Sequence, residues 1–260
     1  MTFKRIIFWS EFPKKVNWNR IKAELEKDKK RIEVYVAVRS KKEFLFWKRK
    51  INSRYIKPGA WLVLSKEKGY WFSGFTDKKD IDRLDEFKGI DFKLDIEPPL
   101  PKFKYNFFKI LFFYLIPYLV KRAKNSWYLE NKIGKLGKKS EIILSGFAFP
   151  GFITKRFGDL GSKGNNYKNY ICYTTLGPRP LMKFYYRLFI KNKTNDKTMF
   201  AIGCLDKGVF GNEPIYKDIS EFKEDILMLK NLGVNNIVIY SLEGLTKKKD
   251  MKNWLKVIFS

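Results

Sequence analysis

The 260-residue chain contains no histidine, so any proton transfer falls to carboxylates and tyrosines. Imidazole acid–base chemistry, Ser-His-Asp and Cys-His triads and His-ligated zinc sites are excluded. Cys172 and Cys204 form neither a CxxC pair nor a zinc spacing, and they read as two buried thiols. Attention moves to the segment GIDFKLDIEPPLP, residues 89–101, where a β-rich run delivers Asp95, Glu97 and three prolines. Two residues apart on a strand, these carboxylates share one face. Like charges on one face repel, which raises some pKa values and lets a protonated acid stand beside an ionised partner near neutral pH. Glu11, Asp206 and Glu243 close other apolar runs, and Glu213 lies in the loop DKGVFGNEPIY. Two carboxylates flanking a glycosidic bond suffice for its hydrolysis. The alternative use of the cluster is a divalent cation such as Mg²⁺ or Mn²⁺, since hard cations prefer oxygen ligands; hydrolysis itself requires no cofactor.

The elements that must position these groups alternate along the chain. Strand candidates are 6–11, 32–38, 61–65, 90–97, 141–149, 170–175, 199–206 and 236–243. Helix-like stretches fall at 16–30, 40–54, 77–88, 105–133, 180–191, 218–232 and 247–258. Repeated strand-then-helix order predicts a parallel sheet with helical crossovers. Eight strands at this length predict an α/β protein of the (β/α)8 TIM-barrel class, one domain over 1–260. The Gly-, Asn- and Lys-rich stretch PGFITKRFGDLGSKGNNYKN predicts that helix five is replaced by a loop. A doubly wound open sheet is the rival, but no GxGxxG turn follows the first strand. In a barrel the C-terminal strand ends form one mouth, which would gather the carboxylates there.

The stretch DFKLDIEPP resembles the fourth strand of family-18 chitinase-like barrels, whose alternating acids end in a proton-donating Glu. Its IEPP also resembles the Asn-Glu-Pro of the large clan of retaining glycosidases, with Ile96 in place of the Asn. The resemblance implies that Glu97 is the general acid and Asp95 its modulator. Glu243 is the expected partner carboxylate because it ends a strand candidate, with Glu213 and Asp206 as alternatives. Tyr70 and Trp71, in SKEKGYWFSGF after strand three, should border the same mouth, where aromatic faces can pack on sugar rings. Glu11 and Tyr240 would extend this substrate-binding lining. The expected partner is a glycan or glycoconjugate.

The charge pattern asks for a second account. Lys and Arg number 54 against 27 Asp and Glu, a formal net charge of +27, which favours polyanionic partners. No RNA-recognition motif, zinc finger or P-loop accompanies it, so nucleic acid is not the expected partner. The segment 102–124 is apolar almost all round. With helix five missing, Phe107, Phe108, Phe112, Phe113 and Tyr114 could meet lipid, with Lys109, Lys121 and Arg122 near headgroups. A dimer interface, or packing into the vacated space, would explain the same pattern. A non-catalytic basic barrel on an anionic membrane surface is thus the alternative to an enzyme. The longest apolar run, 110–120, is far short of the roughly 20 residues needed to span a bilayer. A cytoplasmic chain, peripheral on the membrane at most, is expected.

Overall fold

The computed structural model describes residues 2–121, 123–155 and 166–260. Its strands are β1 (Arg5–Ser10), β2 (Ile32–Val38), β3 (Ile56–Leu62), β4 (Phe92–Asp95), β5 (Ile142–Phe147), β6 (Asn166–Ile171), β7 (Thr198–Gly203) and β8 (Asn236–Tyr240). All pair in parallel in sequence order, and β8 closes on β1 through pairs such as Ile7 with Val238. With helices between the strands this is a (β/α)8 barrel.

Alternation along each strand divides the apolar residues between two cores. Ile7, Trp9, Tyr35, Trp61, Met199 and Val238 fill the barrel interior. Phe8, Val34, Val36, Leu94, Phe200 and Ile239 face outward and pack beneath the helices. Those helices include α1 (Trp18–Lys27), α2 (Lys41–Ile51) and α3 (Lys78–Asp82), the last continuing as a 3-10 turn to Phe87. Asn17 and Ser40 cap α1 and α2, each side chain accepting from the backbone N–H three residues on.

Two strands begin well before the positions expected of them, at Ile56 and Asn166. Pro58 and Gly59 resemble turn residues, yet a Cβ on Gly59 would stand 2.5 Å from the Tyr35 ring. Crowding inside the barrel therefore demands glycine there. In β6 the polarity of NYKNYI hides the strand. Asn169 is buried, and its Nδ2 donates to Ser145 Oγ at 2.7 Å.

The long helix expected at 105–133 is divided. It runs as α4 (Phe107–Lys109), a π-helical turn (Ile110–Leu115) and α5 (Ile116–Val120), then resumes as α6 (Ser126–Leu136). Pro117 has no N–H to continue the i→i−4 ladder. Between β5 and β6 the helix among the described residues is α7 (Gly151–Thr154), a single turn. Residues 156–165 of the expected loop lie outside the described residues, and residues 166–169 belong to β6. The remaining helices are α8 (Arg179–Lys193), α9 (Ile219–Asn231), α10 (Leu242–Lys247) and α11 (Met251–Phe259). Among the described residues no helix is long and apolar enough to cross a membrane.

Candidate active site

β4 sends Lys93, Asp95 and Glu97 to the barrel interior, two residues apart. Lys93 is fully buried. Its Nζ lies 3.3 Å from the Trp9 ring centroid and 3.5 Å from that of Trp61, so two π faces solvate the cation. The same Nζ is 2.8 Å from Asp95 Oδ1, forming an ion pair sealed from water. Burial lowers the Lys93 pKa to about 8, with the Asp95 charge acting against that loss. Glu97 follows the strand end, and its backbone N–H donates to Phe72 O at 3.3 Å. Burial pushes its carboxyl well above the usual range, and repulsion from Asp95 adds to this.

Two further carboxylates meet this line from other strands. Glu11, just beyond β1, accepts from Tyr70 Oη at 2.8 Å and from Tyr240 Oη on its other oxygen. Burial raises its pKa to about 7, although both tyrosine bonds favour the charged form. Glu213 enters from the loop after β7, where its oxygens accept from Phe210 N–H at 3.4 Å and Cys204 Sγ at 3.6 Å. Burial, with Glu11 adding repulsion, pushes it up to about 8. Gly208, at φ +58°, makes this approach possible, because a Cβ there would lie 2.0 Å from Glu213 Oε2.

Glu11, Asp95, Glu97 and Glu213 line one cavity of about 100 Å³ at the C-terminal mouth. Trp9, Trp61, Trp71, Tyr105, Tyr173 and Tyr240 supply most of its aromatic wall. Tyr173 and Tyr240 stack with centroids 5.5 Å apart and planes 7° apart, which stiffens one side. Trp71 leans on Phe210, 6.4 Å between centroids, and so ties the loop after β3 to the loop that carries Glu213. Among the described residues no group of three His, Cys, Asp or Glu is placed to hold a metal ion. The divalent-cation alternative therefore finds no ligand set there.

Two expected members lie elsewhere. β8 ends at Tyr240, so Glu243 sits in the first turn of α10 rather than on a strand. There its Oε1 accepts from the backbone N–H groups of Glu11 at 2.9 Å and Phe12 at 3.0 Å, outside the cavity lining. Its buried carboxylate fastens the chain after β1 to α10 and is not the partner facing Glu97. Asp206 lies three residues past β7 and pairs with Lys247 Nζ, also outside the lining. Tyr70 reaches the site through Glu11 rather than lining it. Lys93 was missed, although the alternation that pairs Asp95 with Glu97 puts it on the same face.

Phe108, Phe112, Phe113, Lys109 and Lys121 are exposed and Phe107 is half-buried, while Arg122 lies outside the described residues. Tyr114, expected with them, is instead buried, its Oη donating to Pro98 O.

Scans of the sequence against protein-family models and against curated proteins found no match. Among solved structures the chain is similar to the PgaB (BpsB) glycoside hydrolase domain from Bordetella bronchiseptica. The TM-score is 0.62 at 11% identity, covering 99% of each chain. A second similar structure is the IolI protein with a zinc atom, at TM-score 0.48 and 11% identity, covering 98% of this chain and 95% of that one. At these identities the likeness concerns the fold, and the barrel is glycoside-hydrolase-like in architecture.

Proposed function

We propose that the protein is a carboxylate-dependent glycoside hydrolase acting on a glycan or glycoconjugate at the mouth of its barrel. The observation that carries the reading is the convergence of four carboxylates from β1, β4 and the loop after β7 on one cavity walled by tryptophan. Glu97 is the general acid. Burial favours its protonated form, and among the described residues no side-chain hydrogen bond or ion pair holds its carboxyl back from a leaving glycosidic oxygen. Asp95, ion-paired to Lys93, supplies a fixed negative charge behind Glu97.

Glu213 faces the same cavity from a different element and takes the role of second carboxyl group, as nucleophile or as base for water. Glu11 and Glu213 both raise the pKa of Glu97, and Glu11 raises that of Glu213, so ionisation of a neighbour strengthens the hold of each on its proton. Glycoside cleavage requires one proton donor and one ionised acceptor, and Glu213 supplies the acceptor as pH rises through about 8. Trp71 offers an apolar face to a sugar ring. The fold likeness to a glycoside hydrolase domain agrees with this reading.

The test is release of reducing ends from a glycan panel by wild type, Glu97→Gln and Glu213→Gln. Each variant should lose about 10²–10⁴-fold in rate on the substrate that wild type cleaves. Its melting temperature should not fall. Undiminished hydrolysis by Glu97→Gln overturns the assignment.

A further inference from the structure

Two adjoining segments combine exposed apolar side chains with a complete lack of acids. Residues 101–124 carry Lys102, Lys104, Lys109, Lys121 and Lys124 but no Asp or Glu. α8 has no acid of its own and carries Arg187, Lys191 and Lys193 besides Arg179 and Lys183, which pair with Glu224 of α9. In the first segment Tyr114 and Leu115 are buried, while Phe112 is 54% and Phe113 72% exposed. In α8 Tyr186 and Ile190 face the core, and Leu181, Phe184 and Leu188 are exposed. The spacing of these last three, i, i+3 and i+7, places them on one helix face. The outward face of a barrel helix ordinarily meets water and is polar; this one is not.

The two segments meet at their beginnings. Tyr105 Oη donates to Leu176 O, and a Cβ on Gly177 would stand 3.1 Å from the Phe107 ring and 3.0 Å from Met182 of α8. The two apolar segments therefore diverge from one contact, and both carry lysines along their length. Lys121 Nζ lies 4.8 Å from the Tyr118 ring centroid, an arrangement that keeps an ammonium at a polar boundary above apolar surface.

We propose that this face docks on the surface of an anionic lipid bilayer, with Phe112, Phe113 and Phe184 entering the acyl boundary and the lysines at the headgroups. Charge complementarity selects this occupant. A second copy of the chain would bring together two faces in which Lys and Arg outnumber the flanking acids of α9, in a protein of net charge +27. Ile110 and Tyr114, which flank Leu111, Phe112 and Phe113 in the π-helical turn, line the cavity. A docked barrel therefore opens its mouth towards the lipid–water interface. The exposed residues do not line the cavity, so the docking proposal stands or falls separately from the hydrolytic reading.

The experiment is co-sedimentation of the full chain with vesicles of phosphatidylcholine alone and of phosphatidylcholine with phosphatidylglycerol, at low and high salt. Wild type should bind the anionic vesicles at low salt, bind the neutral ones at least about tenfold more weakly, and release at high salt. The double variant Phe112→Ser, Phe113→Ser should lose about tenfold or more in partition with its melting temperature unchanged. Phe184→Ser, on the other helix, repeats the test should the double variant misfold. Equal binding to both vesicle types, or unaltered binding by folded variants, overturns the proposal. So does a failure to bind anionic vesicles, whether light scattering then finds a dimer that the variants dissolve or the face captures an acidic protein instead.

Discussion

The two ends of the barrel both concentrate charge, and they treat it in opposite ways. At the N-terminal end, Arg5 sits between two carboxylates, its Nε and Nη2 each 2.7 Å from Glu33 and Nη2 2.6 Å from Glu141. Lys57 adds a contact to Asp91 at 3.0 Å. Cation and anion alternate there, and the Glu33 and Glu141 side chains keep 16% and 24% of their exposure, so water shares the load. At the C-terminal mouth three carboxyls, Glu11, Glu97 and Glu213, are buried with neutral partners or none among the described residues, and the nearby cation, Lys93, is committed to Asp95. Matched charges lock the bottom of the barrel as structure. Mismatched ones at the top leave carboxyls holding protons they would surrender in water, a state useful to catalysis and costly to stability.

That contrast can be broken most directly at Glu97. If the mouth is functional, Glu97→Gln removes hydrolysis by about 10²–10⁴-fold and leaves or raises stability, because a buried group with a raised pKa is replaced by a neutral one. Lys93→Met should come next. It strands the Asp95 charge, at a cost of about 3–5 kcal/mol in urea unfolding, and Asp95→Asn in the same chain should restore part of the loss. A third effect concerns pH. Glu11 has its pKa raised from 4.5 to about 7 by folding. Below about pH 4.5 both states are protonated. Between about 4.5 and 7 the unfolded chain ionises while the folded one keeps its proton, so stability falls as pH rises, by roughly 3 kcal/mol from this residue. Glu11→Gln should flatten that part of the stability profile. The smallest effect belongs to the other end. Arg5→Met should lower unfolding free energy by about 2 kcal/mol, since its carboxylates stay near water, and leave turnover per folded molecule unchanged. Lost turnover in Arg5→Met without loss of stability would contradict the division between the two ends.

Much of the site was legible because a strand has a period of two. Asp95 and Glu97 share a face for that reason, and Lys93 could have been read by the same rule. What hid it was its type, since a lysine suggests solvent until two tryptophans from other strands are known to cover it. Glu213 looked like a loose loop residue, and Glu243 looked like a strand end. The strand stops at Tyr240, however, and Gly208 lets the loop fold Glu213 back over the mouth. The shifted starts of β3 and β6 have a related cause. Pro58, Gly59 and the asparagines of β6 are turn-like by local preference, and closure of the barrel around Tyr35 and Ser145 overrides it.

By itself the sequence determined the chemistry allowed, the eight-fold alternation of strand and helix, and the shared face of Asp95 and Glu97. These depend on residue type and on periodicities measured along the chain. The tertiary structure alone decided which carboxylates meet, that Lys93 sits between Trp9 and Trp61, and that Glu243 serves as a backbone fastener. Those outcomes turn on where each strand stops and on which groups close the barrel from distant parts of the chain. Burial, which moves the pKa values, is a property of that closure and has no counterpart in local order.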